Sequence, residues 1–85
     1  MTNTITVTVK LFAAFQEAIA THEMQLAIPL NAPVTQVYDR LASEYPVLEK
    51  WRSLTRYAVN LDFVESDTLL KDGDEVALIP PVSGG

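Results

Sequence analysis

The chain closes on Pro80-Pro81-Val82-Ser83-Gly84-Gly85, and here residue type and spacing suggest chemistry. Gly84 and Gly85 carry no Cβ, so the backbone can thread a narrow channel in another protein. The acyl carbon of Gly85 is unhindered. With glycine near 7% of residues, two in succession at a chain end arise by chance roughly once in two hundred cases. A frayed terminus is the plainer alternative. Against it stand the two prolines, which remove two backbone donors and hold φ near extended values, so that a preceding strand must leave its sheet and the segment projects. Six residues reach at most about 20 Å. A free carboxylate is a poor electrophile, but adenylation by ATP gives a mixed anhydride with AMP as leaving group. A persulfide sulfur can then displace AMP and leave a terminal thiocarboxylate. Its sulfur is a nucleophile delivered on a tethered arm, which is where proximity helps. The catalytic side chains for both steps would lie on partners.

Composition narrows the alternatives. At 85 residues the chain is long enough for one domain, spanning 1–85 with a flexible tail at 81–85. A domain this size buries roughly 60–65% of the surface it exposes when unfolded, so its core is modest. The hydrophobic fraction of 48% and charged fraction of 20% belong to a folded chain. There is no cysteine, which excludes a disulfide framework, a thiolate metal site and a cysteine nucleophile together. A net charge of −5 argues against nucleic acid or an anionic membrane as partner, since both call for a basic footprint. It suits docking to a basic protein surface. Met1 to Val7 shows no signal-peptide pattern and no apolar run is long enough to span a bilayer, so the cytoplasm is the expected location.

The elements that must hold the tail follow from periodicity. Thr4 to Phe12 alternates, with Ile5, Val7, Val9 and Leu11 on one side and Thr4, Thr6, Thr8, Lys10 and Phe12 on the other, which predicts a strand with one buried face. Ala13 to Ala20 is rich in helix formers and reads as a short helix. Met24, Leu26, Ile28 and Leu30 alternate again, ending at Pro29 and the turn-prone Asn31-Ala-Pro33. Val34, Val37, Tyr38, Leu41, Ala42 and Tyr45 lie on one helical face, with Pro33 in the first turn and Pro46 as the stop. From Val47 to Leu54 the pattern blurs into a short helical turn carrying Leu48 and Trp51. Arg56 to Asn60 reads as a strand with Tyr57 and Val59 on one face, Leu61 to Val64 as a hairpin or short strand, and Lys71-Asp-Gly-Asp74 as a turn. Glu75 to Pro80 is the last strand, with Val76 and Leu78 inward. This order predicts an α+β domain of ubiquitin-like β-grasp type. Its mixed sheet has one main helix packed on one face, and the C-terminal tail projects.

Three segments also carry a family resemblance. Tyr57-Ala-Val-Asn60, then Leu70-Lys-Asp-Gly-Asp-Glu-Val76, then Ile79-Pro-Pro-Val-Ser-Gly-Gly85 resemble the small subunit of molybdopterin synthase, the MoaD family. The opening Lys10-Leu-Phe-Ala13 followed by Glu17 agrees, so the similarity spans nearly the whole chain. Two departures lie away from the tail: Gln16 stands where members often carry Arg, and Ala20-Thr21 lacks the glycine that commonly ends the first helix.

The resemblance implies a sulfur carrier with no catalytic side chains of its own. Gly85, next to Gly84, would be adenylated by a MoeB-type activating enzyme that uses ATP, then thiocarboxylated with sulfur from a persulfide donor. The tail would enter the large synthase subunit and give sulfur to the cyclic pyranopterin monophosphate precursor, building the molybdopterin dithiolene. Two small and two large subunits would form a heterotetramer, and the small chain itself would bind no cofactor. The rivals are a ThiS-type carrier for thiazole synthesis, a modifier that forms isopeptide bonds, and a β-grasp interaction module whose tail is never activated.

Strand parity adds partner-binding candidates. Phe12 and Ile79 fall on the outward side of their strands, and Phe63 lies in the hairpin past Asn60. Several outward apolar residues on one open face suggest a docking patch; the matching family positions lie in the subunit interface, and Pro80, Pro81, Val82 and Ser83 continue it into the tail. Other residues receive blander readings. His22 is the sole histidine and shares no metal set. Asp62, Glu65, Asp67, Asp72, Asp74 and Glu75 do not follow calcium-loop spacing and form a solvated edge. Trp51 packs or lies at a rim, and Lys10 and Arg56 contact either solvent or a partner. No metal site is expected.

Overall fold

A computed structural model describes residues 3–81. Its elements run β1 (Thr4–Leu11), α1 (Ala13–Ile19), β2 (Glu23–Pro29), α2 (Thr35–Glu44), a 3-10 helix (Pro46–Leu54), β3 (Arg56–Val59), β4 (Asp62–Val64) and β5 (Glu75–Ile79). The five strands form one sheet in the order β2-β1-β5-β3-β4. β1 and β5 pair in parallel and every other pair is antiparallel, so the sheet is mixed. The first strand and the last therefore lie side by side in its middle.

The β1 alternation predicted from sequence is present: Ile5, Val7, Val9 and Leu11 are buried while Thr4 and Thr6 are exposed. β2 matches it with Leu26 and Ile28 buried, as an edge strand. Pro29 is tolerated at that edge because no neighbour needs its missing N–H. Arg40 of α2 donates from Nη1 to the Ala27 carbonyl at 2.8 Å, which occupies a further edge acceptor. All helical segments pack against one face of the sheet. Val37, Tyr38, Leu41 and Ala42 of α2 are buried, as their spacing predicted. Each such valine or leucine contributes roughly 1.5–3 kcal/mol relative to leaving it in water. Phe15 of α1 meets Tyr38 and Trp51 edge to face at 5.9 and 5.8 Å, and Tyr38 meets Tyr57 of β3 at 6.5 Å, so one aromatic row ties α1, α2, the 3-10 helix and the sheet together. The Tyr38 hydroxyl donates to the Leu48 carbonyl, which satisfies the one polar atom of that buried ring.

Several boundaries differ from expectation. β1 stops at Leu11, and Phe12, still extended at φ −129° and ψ 152°, becomes the N-cap of α1 and not a strand residue. Leu30 does not continue β2 inward. It lies 54% exposed in a turn, closed by Ala32 N–H donating to the Pro29 carbonyl at 3.1 Å with Asn31 at φ 63°. Pro33 precedes α2 by two residues, with Val34 as N-cap, and instead forms an isolated bridge to Leu69. The short turn expected around Leu48 is a nine-residue 3-10 helix begun by Pro46. Leu61 belongs to the loop, not to β4. Val82, Ser83, Gly84 and Gly85 lie outside the described residues.

Candidate functional site: the open sheet face and the exit of β5

The position at which the tail leaves is set by the turn before β5. Thr6 N–H donates to Asp72 Oδ1 at 2.8 Å, Gly73 N–H donates to the Thr6 carbonyl at 2.8 Å, and Thr8 N–H donates to the Asp74 carbonyl at 2.9 Å. These bonds clip the turn onto β1 ahead of the parallel ladder. Gly73 has φ 87°, a conformation that side chains disfavour and glycine accepts. On the other side Asn60 clasps the same turn. Its Nδ2 donates to Asp74 Oδ1 at 2.9 Å, its Oδ1 accepts from Glu75 N–H at 3.0 Å, and its N–H donates to the Glu75 carbonyl at 2.8 Å. Asp74 Oδ2 also accepts from Lys71 N–H at 2.8 Å. Asp72 and Asp74 are thus turn chemistry and fix the register of β5, while Asp62, Glu65 and Asp67 lie exposed. That register sets Leu78 beside Leu11 and Ile79 beside Arg56, so Pro80 begins the tail at the end of the sheet's central strand.

The face without helices carries a row across the sheet, Glu23–Lys10–Ala77–Ala58–Phe63, read from the pairing registers. Ala58 is 8% exposed yet belongs to no part of the core cluster, so it is shielded from the uncovered side. Phe63 is 69% exposed beside it. Ile79 is half-buried one step toward the exit, and Phe12 follows Leu11 just past the last β1–β5 pair. Phe12 and Ile79 therefore lie at the end of the sheet from which the tail departs, with Pro80 and Pro81 half-buried there, while Phe63 lies one row back, level with Ala77. Phe12 reaches that end from the strand–helix junction.

Charge borders the patch. Lys10 forms ion pairs with Glu23 and, at 3.9 Å, with Glu75. The hydrogen bond from Lys10 holds the Glu23 carboxyl below the usual glutamate range, and the same bond holds the lysine above its own. Lys10 is thus engaged within the chain, while Arg56 makes no ion pair among the described residues. A groove of about 550 Å³ lined by Arg56, Phe63, Glu65, Ser66 and Thr68, among others, opens beside it. Among the described residues no group of three or more His, Asp or Glu could hold a metal ion. His22 is exposed on the bend before β2. Trp51 is half-buried and packs against the core, with Lys50 Nζ 4.6 Å above its ring.

Two kinds of residue escaped the sequence reading. Ala58 and Ala77 form the floor between the larger side chains, and no pattern of small residues announces that. Leu61 is 90% exposed at φ 75°, and the signal was there: a two-residue hairpin loop calls for Asn-Gly, and this chain has Asn60-Leu61.

A mixed sheet with the order β2-β1-β5-β3-β4, crossed on one face by a main helix, defines a ubiquitin-like β-grasp protein. SAMP1, a small archaeal modifier protein of Haloferax volcanii, superposes with a TM-score of 0.80 at 27% identity, covering 94% of this chain and 99% of the other. In the complex of subunits 1 and 2 of molybdopterin-converting factor from Helicobacter pylori, a chain superposes with a TM-score of 0.61 at 28% identity, covering 95% and 100%. In sequence, the molybdopterin synthase sulfur carrier subunit of Arabidopsis thaliana is 31% identical over 84 residues, 99% of this chain and 88% of that one. The chain belongs to the ThiS family, which matches residues 9–85, and within it to the molybdopterin synthase sulfur carriers.

Proposed function

We propose that this chain serves a molybdopterin synthase as its sulfur-carrying small subunit, with the carboxyl of Gly85 as the working group and Gly84 as its unhindered neighbour. The observation that carries the reading is the exposed Phe63 on the uncovered sheet face, one row back from Ile79 and from the end of β5, where Phe12 and Pro80-Pro81 also lie. A partner that grips this face has Pro80-Pro81, the start of the tail, beside it. Pro80, Pro81, Val82 and Ser83 line the path into that partner.

The chemistry runs in three steps on partner enzymes. The Gly85 carboxylate attacks the α-phosphorus of ATP on a MoeB-type enzyme and releases pyrophosphate. A persulfide sulfur attacks the acyl adenylate and expels AMP, and a thiol then cleaves the resulting acyl disulfide to free the thiocarboxylate. Inside the large subunit that sulfur adds to the cyclic pyranopterin monophosphate, and hydrolysis of the thioacyl link returns the carboxylate. The chain's own residues bind, orient and present; the assembly is a heterotetramer and the compartment is the cytoplasm.

Intact-mass measurement after incubation with the activating enzyme, ATP and a sulfur donor tests this reading. The expected product is heavier by the difference between sulfur and oxygen, and a variant lacking Gly85 stays unchanged. A mass that never shifts overturns it. The likeness to an archaeal modifier supports a second reading, an isopeptide-forming tag, which a covalent ladder on target proteins would reveal.

A further inference from the structure

Leu61 is 90% exposed and holds φ at 75°. It is the second residue of the two-residue loop between β3 and β4, where a left-handed backbone favours glycine or asparagine over a bulky side chain. Among the described residues neither unfavourable feature is offset, for Leu61 is neither in the core cluster nor among the residues packed against it. The conformation is enforced from next door. The three hydrogen bonds of Asn60 to Asp74 and Glu75 clamp the start of the loop, so the leucine is displayed on a rigid tip. Rigid display lowers the entropic penalty of docking.

The surroundings select the occupant. Leu61 lies two residues from Phe63, so a contact at the tip continues the open-face patch around the end of the hairpin. Asp62 adjoins it and is exposed, and Asp74 and Glu75 are held against the neighbouring Asn60, in a chain of net charge −5. A second copy would bring these carboxylates against one another, which disfavours self-association through the hairpin. A different protein, with an apolar socket rimmed by Lys or Arg, fits both the leucine and its acidic border.

We propose that Leu61 is a second anchor for the large synthase subunit, seated in an apolar socket with basic side chains around its rim. This inference rests on the carrier reading above and extends its interface from the sheet face to the hairpin tip.

Calorimetric titration of the full chain into the cognate large subunit tests it. Leu61→Gly is expected to weaken binding on the order of ten- to a hundredfold, as loss of a central apolar anchor does, while the melting temperature holds or rises because glycine suits the loop. Leu61→Met, which keeps an apolar side chain of similar reach, is expected to bind within about threefold of the parent. Affinity is expected to fall as salt is raised. Wild-type affinity for Leu61→Gly overturns the proposal, as does equal weakening of the Gly and Met variants, or a loss confined to the activating enzyme. Phe63→Ala separates the two levels. If it weakens binding while Leu61→Gly does not, only the anchor fails; if neither does, the open-face interface fails with it.

Discussion

Phe63 stands directly across the β3–β4 ladder from Ala58, on the face of the sheet that no helix covers. The pairing leaves the ring 69% exposed while the alanine beside it is nearly shut off from solvent. Phe63→Ala is therefore expected to change folding stability by no more than about 0.5 kcal/mol, as surface substitutions do. It is expected to weaken the complex with the large subunit about tenfold or more. Thermal melts and a binding titration on the same variant check the two halves; a collapsed melt with unchanged affinity would reassign Phe63 to the fold.

Ala20 caps α1 at φ 67°, where its N–H donates to the Gln16 carbonyl at 2.8 Å. The geometry is the one glycine usually supplies at a helix end, and the alanine methyl opposes it. Ala20→Gly is expected to stabilise the domain by about 0.5–1 kcal/mol, after allowing for the greater freedom of glycine in the unfolded chain. Urea unfolding with an unchanged slope would report it; a lower midpoint would show that α1 ends differently.

Burial raises the ionisation of both Tyr38 and Tyr57 above the ordinary tyrosine value of 10.0. The unfolded chain thus loses these protons first. Stability is intact below pH 10 and is expected to fall as pH rises through the native values, since the unfolded state then binds fewer protons. Phenolate absorbance should rise together with loss of helical signal in an alkaline titration. Phenolate formation by both rings well before unfolding would contradict their burial.

Asp74 accepts from Lys71 N–H and from Asn60 Nδ2, joining the β5 turn to the hairpin. Asp74→Ala removes both acceptors at a partly exposed site and is expected to destabilise by about 1–2 kcal/mol. Amide exchange should quicken first at Lys71, Asn60 and Glu75. Uniform acceleration across the sheet would place the loss elsewhere.

Much of this molecule was legible beforehand because burial writes a periodic signal. The alternation of Ile5, Val7, Val9 and Leu11 and the helical face of Val37, Tyr38 and Leu41 both reappear as core. The motif from Lys71 to Asp74 also read as a turn. What it does there was not legible, because its partners Thr6 and Asn60 are distant in sequence and polar contacts leave no periodicity. Parity continues through Phe12 and extends the strand to it, while the strand-to-helix junction depends on the Phe12 carbonyl accepting from Phe15 N–H at 3.0 Å. A proline at this position suits a first helical turn, but the bridge to Leu69 holds Pro33 outside α2. Leu61 is different: its place after Asn60, where a two-residue hairpin loop calls for glycine, is a signal the sequence does carry.

β5 fills the slot between β1 and β3, yet it is the last strand to be made. A nascent chain halted anywhere before Glu75 leaves that slot vacant, with β1 and β3 lacking their shared neighbour and Val76 and Leu78 missing from the core. Such a fragment cannot close its sheet and stays exposed to proteolysis. Closure of the sheet thus depends on the segment directly ahead of Pro80, so a chain without that segment has no completed scaffold from which to present a tail.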